Sequence, residues 1–177
     1  MKPQLRFSCS PHDRAVSRLV ARTWLPAPIE TIFGFFADAS NLEKLTPAWL
    51  RFRIVTPIPI EMTNGTTISY RLRVHGLLIT WKSEIRDWSP PFEFVDTQLN
   101  GPYRYWHHRH SFSESNGGTL VDDEVDYCPP GGRIVDRLFV RRDLRRIFSF
   151  RTARLNELFN AAHSAPADMA PPSSGSV

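Results

Sequence analysis

Three of the six histidines of this chain lie in one ten-residue stretch, Tyr103–Phe112 (YRYWHHRHSF). Side chains of a strand alternate between its two faces. As a strand, this stretch would place on one face Trp106, His108, His110 and Phe112, and on the other Tyr103, Tyr105, His107 and Arg109. Two imidazoles between large aromatic rings are typical of a lined cavity, a metal site or a polar cluster in a core.

The following stretch, 118–127, supplies a carboxylate to this face. If Asn116-Gly117 forms a two-residue hairpin turn, His110 lies opposite Asp123. His108 then lies opposite Val125, and a shift of one residue would break this arrangement. A carboxylate fixes the tautomer of an imidazole and stabilises its protonated form. The pair is therefore either a general acid/base or a polar pair that only orients the sheet.

A His-x-His pattern on one face also suits a metal ion, which needs a third and usually a fourth ligand. Asp123 is one candidate ligand, and Asp96 or Gln98 are others. No cysteine pair or further histidine is convincingly placed beside them. We therefore predict no metal and no other cofactor.

The elements that must position these residues are a meander of strands and one long helix. Alternating apolar residues separated by turn signals predict strands at about 18–25, 51–55, 66–74, 77–88, 92–99, 103–112 and 118–127. Two short helices are expected after the first strand. The stripe that predicts the long helix, up to about residue 162, consists of Leu144, Ile147, Phe148, Arg151, Leu155, Leu158 and Phe159. A sheet of this kind covered by one amphipathic helix is an α+β fold, and a long curved sheet leaves space under the helix.

The 177 residues fit one domain with tails. We expect a loose leader at 1–16, the domain at 17–163 and a disordered tail rich in Pro, Ala and Ser at 164–177. With Cys9 in the leader and Cys128 the only other cysteine, reduced thiols are expected. No apolar stretch approaches the length of a membrane span, and no signal peptide is evident, so we expect a cytoplasmic protein.

Basic residues exceed acidic ones only slightly, with a formal charge of +4 carried by 19 Arg and three Lys. Arginine prefers planar, paired and partly buried roles. The arginine run between residues 133 and 154 is interrupted by acidic residues and lacks interleaved aromatic residues. Nucleic-acid binding is therefore not expected.

The order of elements and a set of short motifs resemble the SRPBCC or START-like superfamily, and most closely a group of bacterial ligand-binding SRPBCC proteins. The resemblance covers roughly residues 17–160. Its motifs are Ala27–Phe33, Asn41–Pro47, Trp49–Phe52 (WLRF), Gly65-Thr66, Phe94–Gln98, Gly101–Tyr103, Trp106–Phe112, Gly117–Thr119, Asp123–Tyr127 and Arg141–Phe148. It implies a helix-grip fold, a curved antiparallel sheet of about six to seven strands wrapped on the C-terminal helix. It also implies an apolar cavity but no established reaction.

We expect the cavity to be an aromatic pocket with a few convergent polar groups, which suits a small hydrophobic ligand. The residues expected to contact the ligand are Tyr70, Trp81, Phe94, Asp96, Gln98, Trp106, His108, His110, Phe112, Tyr127, Phe148 and Arg151. Arg151 falls on the apolar stripe of the helix, where it would form a salt bridge, snorkel or meet an acidic ligand group. The same stripes would also suit a filled core.

Three functions fit these features. The first is a protein that binds a lipid, a quinone or a polyketide-like ring system. The second is a cyclase or dehydratase in which His110 is the acid/base and Asp123 supports it. The third is a regulator that binds a protein partner through the sheet surface or the basic helix.

Overall fold

The computed structural model describes residues 4–10, 13 and 15–163. Its core element is one antiparallel sheet with the strand order β1-β2-β8-β7-β6-β5-β4-β3. The strands are β1 (Gln4–Cys9), β2 (Ser17–Leu25), β3 (Arg53–Ile54), β4 (Thr67–Val74), β5 (Leu77–Ser89), β6 (Glu93–Asn100), β7 (Tyr105–Ser115) and β8 (Gly118–Cys128). In most of them buried residues alternate with more exposed ones, because one face packs on the core and the other meets solvent.

Helices cover the inner face of the sheet. Two short helices, α1 (Ile29–Ala37) and α2 (Asn41–Lys44), lie between β2 and β3 together with a 3₁₀ turn at Ala48–Leu50. After β8 the chain forms α3 (Gly132–Val135), a π-helical turn (Asp136–Val140) and the long α4 (Arg141–His163). The predicted stripe of α4 faces the sheet, and its Leu144, Phe148 and Leu155 are buried in one core with residues of the sheet. The architecture is the expected helix-grip arrangement, and none of the described helices is long and apolar enough to cross a membrane.

Within the described residues the sheet has eight strands instead of six to seven, because the predicted leader contributes β1. Residues Gln4–Cys9 pair with β2 throughout their length, so the expectation of a loose leader needs correction there. Leu5 and Phe7 pack against the core, and the guanidinium groups of Arg141 and Arg145 lie 5.7 and 5.4 Å from the Phe7 ring centre. Two apolar residues were too weak a periodic signal to detect this edge strand. The predicted tail at 164–177 lies outside the described residues.

The hairpin of β7 and β8 has the predicted register. Asn116 and Gly117 both have positive φ angles, 50° and 74°, as a two-residue turn that matches the twist of the strands requires. His110 pairs with Asp123, and His108 pairs with Val125. On the other side of β7, strand β6 aligns Phe94 with His110 and Asp96 with His108. The two histidines therefore lie between two aspartates that come from different neighbouring strands.

A second buried carboxylate joins the start of the long helix to the sheet. Asp136, only 1% exposed, accepts hydrogen bonds from the hydroxyls of Ser17 (2.7 Å) and Tyr127 (2.8 Å) and from Nε of Arg141 (2.9 Å). Removal of a carboxylate that satisfies buried donors leaves each of them without a partner. Asp136 therefore fixes the position of α4 over the sheet.

We predict that Asp136→Ala lowers the free energy of unfolding by roughly 3 kcal/mol, because the buried partners lose their acceptor. Urea denaturation followed by circular dichroism measures this loss. The control is Glu157→Ala, which removes the exposed ion pair with Arg154 on α4 and should cost at most about 0.5 kcal/mol. Similar losses in the two variants would contradict the role given to Asp136.

Candidate functional site

A cavity of about 470 Å³ lies between the sheet and the long helix. Strands β4, β5 and β7 and helix α4 supply its mostly apolar wall, which includes Leu72, Ile79, Trp81, Trp106, Leu144 and Phe148. Leu77 and Phe139, which also line it, are 71% and 53% exposed. The cavity therefore opens to solvent between the tip of the β4–β5 hairpin and the π-helical turn.

A second, smaller cavity of about 60 Å³ lies beside the first. Phe36, Phe94 and His110 are among the residues that line it. Leu42, Asp96 and Arg151 line both cavities, and we call these three residues the neck. The two charged groups of the neck thus lie where the apolar space narrows.

Asp123 lies next to both histidines and not only next to His110. Its Oδ1 atom is 2.6 Å from Nδ1 of His110 and accepts a 3.1 Å hydrogen bond from Nε2 of His108. The predicted register places His108 opposite Val125 alone, but diagonal neighbours in a sheet are within reach of long side chains. The imidazole ring centres are 3.9 Å apart, and Phe94 stacks on His110 at 4.4 Å.

Burial and mutual contacts together set the protonation states of His108 and Asp123. Burial and the like charge of His110 lower the pKa of His108 to about 3, so His108 is neutral near pH 7. Burial alone would raise the pKa of Asp123, but the two histidines hold it well below its usual range. Asp123 is therefore an anion, which its neighbours stabilise.

Asp96 belongs to a separate set of polar groups on the cavity wall. The Tyr70 hydroxyl contacts Oγ of Ser83 and donates to Oδ2 of Asp96 at 3.4 Å, and Nε1 of Trp81 donates to Ser83 at 3.1 Å. Burial raises the pKa of Asp96 and raises that of Tyr70 well above its usual value. Sequence reasoning missed Ser83, although its place between the inward-facing Trp81 and Ile85 on β5 was a usable signal.

Arg151 brings a positive charge to the neck. Its Nη1 atom is 3.9 Å from Oδ1 of Asp123, and its guanidinium carbon lies 5.1 Å from the Phe148 ring centre. Its Nε and Nη1 atoms are buried and have no hydrogen-bond partner among the described residues. The guanidinium is therefore held by the charge of Asp123 and by its contact with the Phe148 ring, while its Nε and Nη1 donors make no hydrogen bond to the described residues.

The predicted ligand-contact residues separate into three groups. Those that line the large cavity are Tyr70, Trp81, Asp96, Trp106, His108, Phe148 and Arg151. Phe94 and His110 line only the small cavity. Those that line neither are Gln98, Phe112 and Tyr127, and Asp123, predicted as the partner of His110 in acid/base chemistry, lines neither as well.

Each of the residues in the third group has another role. Gln98 donates to the Tyr103 carbonyl at 2.7 Å, Phe112 packs edge-to-face on Phe33 and Phe36, and Tyr127 holds Asp136. Asp123 is screened by the histidines that contact it. A side chain on the inner face of the sheet therefore does not necessarily line the cavity.

Tyr103 lines the large cavity, although the predicted alternation of side chains along the strand placed it on the face opposite to His108 and His110. The reason is that β7 begins at Tyr105, so Tyr103 lies in the preceding loop, where alternation does not apply.

The ring nitrogens of His108 and His110 and a carboxylate oxygen of Asp123 lie within 4.8 Å of one another. Two imidazoles and one carboxylate are a ligand set for transition metals. However, the guanidinium of Arg151 lies 3.9 Å from the same oxygen, and its positive charge opposes a cation there. This electrostatic argument favours a polar cluster over a metal centre.

The low pKa of His108 predicts a loss of stability on acidification. Between its unfolded value of 6.5 and its folded value of about 3, the unfolded chain binds a proton that the folded protein does not. Stability is therefore complete above this window and falls within it, by about 2 kcal/mol for this residue between pH 7 and pH 5. His108→Gln retains a donor for Asp123 and should remove that part of the loss, which urea denaturation at the two pH values measures.

The matched control is His107→Gln, which changes the adjacent histidine on the outer face of β7 and leaves the cluster intact. It should retain the wild-type loss. An equal loss in His108→Gln and wild type would show that His108 is not the group responsible.

Comparison with known proteins places this geometry in a family. A family model described as polyketide cyclase/dehydrase and lipid transport matches residues 25–150. No curated protein matches the chain significantly in sequence. Among solved structures, Ms6760 from Mycobacterium smegmatis is 17% identical with a TM-score of 0.65, and the match covers 89% of this chain and 98% of that one.

Two further structures share the fold. TTHA0849 from Thermus thermophilus is 18% identical with a TM-score of 0.65, covering 83% of this chain and 99% of the other. Major latex-like protein 151 from Panax ginseng is 15% identical with a TM-score of 0.51, covering 75% and 97%. At such identities the structures establish the fold alone, whereas the family model covers most of the chain. The chain therefore belongs to the polyketide cyclase/dehydrase and lipid transport family, within the SRPBCC superfamily of helix-grip proteins.

Proposed function

We propose that this protein binds one small hydrophobic molecule in the large cavity. The observation that carries the proposal is an apolar space of about 470 Å³ with an opening to solvent. Pockets of roughly 300–1,000 Å³ with apolar walls and a few polar groups are typical of small-molecule sites. The volume fits a lipid chain, a quinone or a polyketide-like ring system.

The aromatic residues around the cavity support binding rather than a filled core. Trp81 and Trp106 pack edge-to-face at 5.1 Å, and Tyr103 lies 4.9 Å from Trp106. These mutual contacts hold the rings against the wall instead of letting them collapse inward. A rigid aromatic wall lowers the entropic cost of binding, because the site is formed before the ligand arrives.

The second candidate is an enzyme of the cyclase or dehydratase type, which the family description and the buried histidines favour. A general base needs a pKa near the working pH and reach to the reacting atom. His108 has the reach, but a pKa of about 3 makes it a weak base. His110 lines only the small cavity, and Asp123 lies behind both rings. The geometry thus supports binding better than turnover.

Filling the cavity tests the proposal. We predict that the double variant Val74→Trp/Ile79→Trp weakens binding of the neutral fluorescent probe N-phenyl-1-naphthylamine at least about tenfold, because both side chains line the cavity and added rings occupy it. Fluorescence titration gives the dissociation constant.

The matched control is Arg73→Trp/Leu78→Trp. These two residues pair with each other on the outer face of the same two strands, so the added rings stay outside the cavity. The control should bind the probe like the wild type. Equal affinity in all three proteins, or no binding by the wild type, would contradict the proposed site.

Turnover has a separate readout. An enzyme would convert an aromatic polyketide substrate, and His110→Ala would abolish conversion without loss of probe binding. Recovery of the substrate unchanged from the wild type supports the binding function.

A further inference from the structure

We propose that the bound molecule carries one acidic group, a carboxylate, which the guanidinium of Arg151 binds at the neck. This inference rests on the proposed function and adds the chemical class and orientation of the ligand. The hydrophobic body would lie in the large cavity, and the acidic end would point away from the opening.

The unused donors of Arg151 are the first argument. The side chain is 11% exposed, and its Nε and Nη1 atoms have no hydrogen-bond partner among the described residues. A buried donor without an acceptor costs free energy, and the cost is higher for a charged group. A carboxylate offers two oxygens that fit the planar fork of a guanidinium. Its binding would satisfy groups that the folded chain leaves unsatisfied.

Asp123 does not take this role. Its Oδ1 atom is 3.9 Å from Arg151, which is too far for a hydrogen bond, and both histidines already lie against that oxygen. The two histidines thus contact the Asp123 carboxylate, and the donors of the Arg151 guanidinium remain available to a ligand. This arrangement keeps a positive group at the neck and still lowers the cost of its burial.

Asp96, the other charged residue of the neck, is compatible with an acidic ligand. Its Oδ1 atom is buried and has no hydrogen-bond partner among the described residues. Burial raises the pKa of this carboxyl, so its ionised form is less favoured there and opposes an acidic ligand less.

The remaining lining explains why one acidic group is expected on an otherwise apolar molecule. From the neck to the opening the wall is formed largely by aromatic and aliphatic side chains such as Phe52, Leu72 and Trp106. A second ionised group placed there would lose its hydration without compensation. Amphipathic acids with one polar end, such as fatty acids, match this pattern.

The experiment compares dodecanoic acid with 1-dodecanol, which has the same chain and an uncharged end. Each displaces N-phenyl-1-naphthylamine from the protein at about pH 8, where the acid is ionised. We expect the wild type to bind the acid at least about tenfold more tightly than the alcohol, since hydrogen bonds to charged groups are the stronger ones.

Three variants locate the effect. Arg151→Met should abolish the preference for the acid and leave the affinity for the alcohol unchanged. Arg142→Met removes an exposed arginine of the same helix that lines neither cavity and should retain the preference. Arg151→Lys keeps the charge but loses the fork, so a reduced preference is expected.

The outcomes distinguish this inference from the function on which it rests. If the wild type does not bind the neutral probe, the proposed function fails. If the probe binds but acid and alcohol compete equally in the wild type, only the inference is overturned. The wild-type comparison and Arg151→Lys decide the question even if Arg151→Met does not fold. A preference that persists in a folded Arg151→Met would also overturn it.

Discussion

The register of the β7–β8 hairpin is the constraint on which the site depends. Asn116 and Gly117 close a two-residue turn, and this turn fixes His110 opposite Asp123. Because side chains alternate along a strand, a slip of one residue between β7 and β8 would place the two histidines and Asp123 on opposite faces of the sheet. The polar cluster of His108, His110 and Asp123 beside the neck therefore forms only in this register.

This register places opposite charges under the long helix at the point where two apolar cavities meet. Asp123 accepts a hydrogen bond from His108, contacts His110 and lies close to Arg151, so the cost of burying the opposite charges is reduced. The same arrangement leaves the guanidinium with free donors. Under the proposed function, a site with one polar end and an apolar body would orient a ligand as well as hold it.

Much of this fold could be predicted because its signals are local. Period-2 alternation, the Asn116-Gly117 turn and the stripe around Phe148 lie within short windows and led to the sheet, the hairpin register and the helix. Contacts between distant segments could not be read in this way. The edge strand β1 depends on pairing with β2, the bond from His108 to Asp123 is diagonal, and Tyr103 enters the cavity from a loop. These features follow from tertiary packing, which overrides the local pattern.

A crystal structure of the protein with bound dodecanoic acid tests the central claim most directly. We predict that the hydrocarbon chain occupies the large cavity beside Trp106, with the carboxylate within hydrogen-bond distance of the Arg151 guanidinium. An acid bound in the reverse direction, with its carboxylate at the opening near Leu77, would contradict the assigned orientation. Crystals grown in excess acid in which the cavity holds no chain would contradict the binding function itself.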